Sequence, residues 1–256
     1  MGGCRRLPAK PIVFPRDAKT EAEKGVRVRI FSRGQELAFA GHPTLGTARA
    51  LLGRRPGVKK ILPDLKAGPI PVTFDAEGYG EMLQQDAVFP PEKYKIEELA
   101  PLLGLSPDDF DEAYPIRNLS TGRPNLMVVP RSLQAIRSIN VDWNATAKFF
   151  ASGAKQRGFY LLARDTEAKT AGVHARKPGR SGEGEGEDPA TGSAAGAAAA
   201  YLVEAGIATE YERVIIEQGS EMHRPSEIYV AADGLRNIRV GGYCAKVFEG
   251  YGSIPK

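Results

Sequence analysis

The chain has 256 residues, of which 42% are apolar and 26% charged, and its formal net charge is +4. That balance suits a soluble globular protein with enough chain to bury a large core as one domain or two. No apolar run reaches the roughly 18 residues of a membrane-spanning helix, and the basic pairs Arg5-Arg6, Arg54-Arg55, Lys59-Lys60 and Arg176-Lys177 form no stripe with interleaved aromatics, which argues against nucleic acid as a partner.

The N-terminus lacks the apolar core of a secretory signal, and two cysteines, Cys4 and Cys244, make no disulfide framework. The expectation is a cytoplasmic protein with no membrane partner, in which Cys244 is a buried thiol.

In chain order, Met1 to Arg16 is proline-rich and basic, with one apolar run from Pro11 to Phe14, and Asp17 to Lys24 reads as a charged link. Val26 to Phe31 alternates as a half-buried strand. A turn around Gly34 leads to Leu37–Ala40 and Gly41-His42-Pro43. A small-residue helix then spans Thr44 to Leu52, stopped by Gly53 and Pro56. Val58–Leu62, Gly68–Phe74 and Gly80–Phe89 read as strands, Pro91–Gly104 as a helical patch, and Ser106-Pro107-Asp108-Asp109 as a helix start. The boundary between halves is expected near Pro115, giving halves 1–114 and 115–256.

In the second half, strands are expected at Ile116–Leu119, Asn125–Val129, Gly158–Arg164 and Thr170–Ala175, and helices at Ser132–Ser138 and Asp142–Ser152. Arg176 to Glu187 reads as a loop. The alanine-rich helix after Pro189 is apolar all round until Glu204 and is therefore a buried helix, stopped by Gly206. Val214–Glu217, Glu227–Ala231 and Ile238–Phe248 close the chain as strands, the last with a Gly241-Gly242 pair that marks a bulge or a close backbone approach. Short strands with single interposed helices and no regular βαβ units indicate a mixed α+β class.

One pattern occurs twice. Pro43-Thr44-Leu45-Gly46-Thr47-Ala48 and Pro189-Ala190-Thr191-Gly192-Ser193-Ala194 share P-x-x-G-[ST]-A. Each leads into a small-residue helix, so the chain reads as two related halves around central helices whose N-termini face a common cleft. That would place His42 and Asp188 in one pocket. A buried helix that begins with small polar residues and free backbone N–H groups suits an anion.

His42 stands beside a helix start and titrates in the range useful for proton transfer, or is a loop histidine bonding its own backbone. Asp188 caps a helix, serves a pocket, or does both. Gly192 and Ser193 offer an N–H and a hydroxyl to a carboxylate, or merely allow a tight helix contact. Arg224 neutralises a bound carboxylate or pairs with the acidic loop, while neighbouring His223 is a surface residue. Glu36 is a base or a turn residue. The histidines at 42, 174 and 223 form no local metal-ligand set, and the glycines at 182, 184 and 186 alternate with glutamates that would repel phosphates. Neither a metal nor a nucleotide cofactor is expected, and Gly192-Ser193 lacks the G-x-S-x-G elbow of a hydrolase.

The segments E-L-A-F-A-G-H-P-T-L-G-T-A (36–48), S-T-G-R-P-N-L-M-V-V-P (120–130), E-D-P-A-T-G-S-A-A-G (187–196), E-Q-G-S-E-M-H-R-P-S (217–226) and V-G-G-Y-C (240–244) resemble the PhzF family of phenazine-biosynthesis-like proteins. The resemblance covers about Val26 to Gly250. It implies the diaminopimelate-epimerase fold, with two pseudo-symmetric domains, each a curled sheet around a central helix, often in a homodimer. It implies an isomerase that moves a proton within a small unsaturated or amino carboxylic acid without metal or organic cofactor. By the same resemblance Asp188 and His42 are catalytic, and Gly41, Gly192, Ser193 and Arg224 bind substrate.

The front of the chain departs from that pattern. The family's first strand and helix and its principal acid/base glutamate have no counterpart, and Pro8-Ala9 fall where a Ser-Glu pair is expected. Glu36, Glu21 and Glu23 are candidate substitutes away from the family position. The alternative is a catalytically impaired homologue that binds a small anion or a protein partner.

Overall fold

A computed structural model describes residues 9–32, 34–122, 124–151, 158–181 and 184–250. Cys4, Pro8, Gly182 and Glu183 lie outside them. The chain divides into two compact units, Met1–Met82 with Gly241–Lys256, and Leu83–Val240. The 1–114 and 115–256 halves follow the internal repeat, whereas this division follows compactness.

The first unit holds β1 (Lys10–Phe14), α1 (Ala18–Lys24), β2 (Val26–Phe31), β3 (Glu36–Leu37), α2 (Gly41–Leu52), β4 (Lys60–Ile61), β5 (Pro63–Leu65), β6 (Gly68–Pro69), β7 (Val72–Phe74) and the start of β8 (Tyr79–Leu83). Strand β2 buries Val26, Val28 and Ile30 at alternate positions, as its pattern requires. The charged link is a short helix instead. Asp17 accepts from Thr20 N at 2.9 Å, and Gly25 ends the helix at φ +83°, a conformation that a side chain there would strain. The strands expected between residues 58 and 89 are shorter than their apolar runs: Gly68–Phe74 splits into β6 and β7 around Pro71, and Gly80–Phe89 ends as a strand at Leu83. Helix α2 packs on β1, β4 and β5. An added Cβ at Gly241 would lie 2.3 Å from the Tyr79 hydroxyl and 2.6 Å from Gly80 O, so the glycine pair does mark a close approach.

The second unit holds α3 (Ile96–Leu103), β9 (Arg117–Ser120), β10 (Pro124–Val128), α4 (Leu133–Ser138), α5 (Trp143–Ala151), β11 (Gly158–Ala163), β12 (Val173–Arg176), β13 (Pro178–Ser181), β14 (Gly184–Glu187), α6 (Gly192–Glu204), β15 (Val214–Gln218), β16 (Ser226–Asp233) and most of β17 (Arg236–Tyr243). Its main sheet runs β17-β16-β15-β12-β11-β10-β9, with parallel pairs at β10–β11 and β12–β15. One face carries Leu126, Val128, Phe159 and Leu161 into a core with Leu99, Leu103, Ile136 and Phe150. Helix α6 packs on β16, β9 and β10 and buries its whole length from Ala194 to Leu202. The expected loop 176–187 contains the β13–β14 hairpin. The helix start at Ser106 yields a single 3-10 turn, Pro107–Asp109, closed by a Ser106–Asp109 capping box. Strand β17 ends at Tyr243, leaving Val247 and Phe248 exposed beyond it.

The α+β class holds, but the curled sheets around central helices do not. Among the described residues the sheets are open orders with free ends. In the first unit one order runs β1-β2-β5-β6, with β3 also on β2. Its end strand β6 has two residues, one of them Pro69, which offers no N–H to a further strand. At the far end of the larger sheet, among the described residues, β9 meets only an isolated bridge between Ser120 and Val88 on its outer edge. Among the described residues no helix is long and apolar enough to cross a membrane.

Candidate functional site

The start of α6 is built by a buried glutamine. Gln218, at the end of β15, is fully buried and uses all of its amide. Its Oε1 accepts from the Tyr160 hydroxyl at 3.0 Å and from Thr191 N at 3.3 Å. Its Nε2 donates to Asp188 O at 2.6 Å and to Thr191 Oγ1 at 3.1 Å. Tyr160 can take part because strand alternation turns Phe159 and Leu161 into the core and Tyr160 to the opposite face. Burial, with the Asp188 charge nearby, pushes its hydroxyl well above the ordinary tyrosine range, so it stays a proton donor.

These bonds fix Asp188 to Thr191 as a turn ahead of the helix. Pro189 therefore sits three residues before Gly192, ahead of the helix. The Asp188 carboxylate accepts from Ala190 N at 3.3 Å and from Thr191 Oγ1 at 2.8 Å, and it is exposed. Thr191 is the N-cap residue, yet its side chain makes no capping bond. With its hydroxyl engaged by Asp188 and Gln218, the first-turn amides of α6 keep their donors and positive dipole end for another acceptor. Gly192 is buried there and Ser193 half-buried.

On the other flank, Gln84 Nε2 donates to Gly192 O at 3.0 Å, and Thr121 Oγ1 lies 3.0 Å from Gln84 Oε1 and 3.3 Å from Ser193 O. A Cβ at Gly196 would fall 2.2 Å from Gln84 Oε1. Gly196 thus lets a glutamine side chain approach the helix closely. The approach to Asp188 is fixed by Asp188 N bonded to Lys177 O at 3.0 Å, and by Arg176 holding Glu187 through two bonds of 3.0 and 2.9 Å.

Arg224 comes from the turn after β15. Gly219, at φ +92°, lies so close to Pro189 that an added Cβ would meet Pro189 O at 2.7 Å. Ser226 Oγ sits 2.6 Å from Pro189 O and 2.9 Å from Gln218 O. The turn is thereby seated on Asp188-Pro189, and Arg224 and His223 are exposed on it. The structure brings together Asp188, Gly192, Ser193 and the turn bearing Arg224 in the second unit. Sequence reasoning missed Gln84, Thr121, Tyr160 and Gln218; the signal for Gln218 was an amide at the end of an apolar strand.

In the first unit, Gly41 and His42 open α2 itself, which begins three residues earlier than expected. The N-cap Ala40 has no side chain to cap with, while Thr44 and Thr47 turn their hydroxyls back to Ala40 O and Pro43 O at 2.7 and 2.6 Å. Gly41 is buried and His42 exposed. Glu36 is taken by Arg29 through two bonds of 2.9 Å, and that guanidinium holds its carboxyl below the usual range. Glu21 pairs with Arg55 at 2.7 Å, and Glu23 is exposed on α1. Cys244 is half-buried, and burial raises its thiol pKa.

A family model described as phenazine biosynthesis-like protein matches residues 13–250. An uncharacterized isomerase of Mesorhizobium japonicum is 31% identical over 241 residues, covering 88% of this chain and 78% of that protein. The trans-2,3-dihydro-3-hydroxyanthranilate isomerase of Pseudomonas aeruginosa is 30% identical over 91% of this chain and 81% of its own length. Among solved structures, a predicted epimerase of Pseudomonas aeruginosa aligns with a TM-score of 0.74 at 31% identity, over 92% of this chain and 80% of that one. A PhzF-family protein of Bacillus anthracis shares the fold, with a TM-score of 0.77 at 24% identity over 93% and 82%.

Proposed function

The chain belongs to the phenazine biosynthesis-like family, and from that premise we propose that it is an isomerase moving a proton within a small unsaturated or amino carboxylic acid by acid/base chemistry of its own side chains. The observation that carries this reading is the open start of α6. Its cap hydroxyl is committed to Asp188, so the amides of the first turn are left for a substrate carboxylate beside a carboxylate able to accept a proton. Ser193 and Gly192 would hold the substrate carboxylate, and Arg224 would offset its charge. Asp188 would take the proton from the carbon activated by that carboxylate and return one elsewhere on the same molecule, leaving no net change in atoms or charge. The relatives whose names include an isomerase activity support the reaction class.

The test is exchange of substrate C–H for deuterium in heavy water, across a panel of unsaturated and amino carboxylic acids. Exchange that is lost in Asp188→Asn supports the proposal. No exchange anywhere in the panel, with carboxylate binding intact, overturns it.

A second reading, an impaired homologue that binds a small carboxylate without turnover, is favoured by the engagement of Glu36 with Arg29 and of Glu21 with Arg55. Neither of these two carboxylates is unpaired to stand in for the glutamate that the resemblance expects where Ala9 lies, and Glu23 is exposed on α1. Restored exchange in Ala9→Glu from an inactive parent supports this reading, and an active parent overturns it.

A further inference from the structure

His174 on β12 is fully buried and touches a carboxylate with each ring nitrogen. Nδ1 lies 2.8 Å from Glu217 Oε1, and Nε2 lies 2.9 Å from Glu221 Oε1. A neutral imidazole has a single N–H, so it would set a lone pair against one of these carboxylates; two donated bonds require the imidazolium. The two partners are held very differently. Glu217 also accepts the backbone N–H groups of Glu167 and Ala168, at 2.6 and 2.9 Å. Glu221 stands on a single 3-10 turn, Ser220–Met222, and its Oε2 is buried with no hydrogen-bond partner. The same turn is seated through Gly219 and Ser226 on Asp188-Pro189 and carries Arg224.

We propose that His174 is a positioning residue: as an imidazolium it clamps the Gly219–Ser226 turn through Glu221 and so seats Arg224 beside the start of α6, and on losing its proton it releases the turn. The importance of that seat rests on the proposed carboxylate site, but the clamp itself does not. Glu221 is the end that lets go. A neutral ring sets its lone pair against one carboxylate; facing it, Glu221 has only its own backbone amide and the Arg176 charge to offset burial, and its short turn gives it a path to water, whereas Glu217 is held in place by two backbone donors. The other charged groups around the ring are Glu167, which accepts from Ser220 Oγ at 3.1 Å and pairs with Arg137, and Arg176, which is committed to Glu187. Burial opposes the charge on His174, but the hydrogen bonds to Glu221 and Glu217 outweigh it and hold the imidazole above its ordinary value. The switch therefore falls on the alkaline side of an ordinary histidine.

The test follows the His174 ring by NMR and amide exchange of peptide 219–226 by mass spectrometry in the full chain over the same pH range, corrected for intrinsic exchange. Protection of that peptide is expected to fall about tenfold or more as His174 deprotonates. Glu221→Gln is expected to abolish the dependence while keeping protection, because an amide N–H can donate to the lone pair of a neutral ring. Protection in the natural chain that does not change across the His174 titration overturns the proposal, as does a Glu221→Gln variant that still tracks it. Neither readout requires a bound carboxylate, so a failed clamp and a failed carboxylate site give different results.

Discussion

Thr191 turns its hydroxyl to Asp188 Oδ2 at 2.8 Å and so leaves the helix it precedes without a side-chain cap. Threonine at that position ordinarily bonds an amide of the first turn, a contact worth about 1 kcal/mol. Here the hydroxyl aims the carboxylate and the amides stay open. Thr191→Val is expected to cost about 1 kcal/mol of stability and to weaken binding of a small carboxylate, while Thr191→Ser keeps both. Urea denaturation and carboxylate titration of the two variants check this; equal behaviour of valine and serine would mean that the hydroxyl has no part in aiming Asp188.

Gln218 supports that arrangement from below. Removing its side chain leaves the fully buried Tyr160 hydroxyl and Thr191 N without their acceptor. Gln218→Ala is expected to cost about 2–4 kcal/mol, the combined penalty of a cavity and orphaned polar groups. Adding Tyr160→Phe should recover part of the loss, since one orphan is then removed. A denaturation midpoint unchanged by Gln218→Ala would contradict the role of this amide.

Two helix glycines have opposite tolerances. At Gly46 in α2 an added Cβ meets nothing within 4 Å, so Gly46→Ala is expected to stabilise by about 0.5–1 kcal/mol. At Gly196 in α6 it would strike Gln84 Oε1 and disturb the bond to Gly192 O, so Gly196→Ala is expected to cost about 1–3 kcal/mol. Thermal melts of the pair measure the contrast directly.

The legible parts of this chain were those governed by local pattern. Val26–Phe31 alternates and forms β2, and the uncharged run before Glu204 forms the buried helix α6. The open sheets were not legible, because whether sheet ends meet depends on pairings far apart in sequence. The Asp17 helix was missed because its seven residues are all charged or small and none is buried. In the site, Asp188 and Gly192-Ser193 stood out by motif. Gln218 and His174 did not, because their importance lies in partners brought by other strands. A histidine in the otherwise apolar V-H-A run, next to no local acid, was the one available hint.

The His174 cluster also sets a pH dependence of stability. A folded-state pKa held above the unfolded value contributes stability that is fully present below about pH 6.5 and is lost as pH rises through the folded value. The melting midpoint should therefore fall over that window on the alkaline side, and His174→Gln should remove that step. Glu221 acts in the opposite direction. Burial works against its charge, but the bond to His174 wins and lowers its pKa, so its contribution is lost as pH falls below about 4.5. A midpoint that rises as pH increases above about 6.5 would contradict a clamp made by the imidazolium.

The measurement that bears most directly on the whole account is deuterium incorporation from heavy water into a panel of small unsaturated and amino carboxylic acids, run beside thermal melts with the same compounds. Ligands that bind only the folded chain must raise the midpoint. The account predicts at least one acid that both raises the midpoint and gains deuterium at carbon, with the gain lost in Asp188→Asn while binding persists. Acids that raise the midpoint yet gain no deuterium would contradict an isomerase and leave a carboxylate-binding homologue.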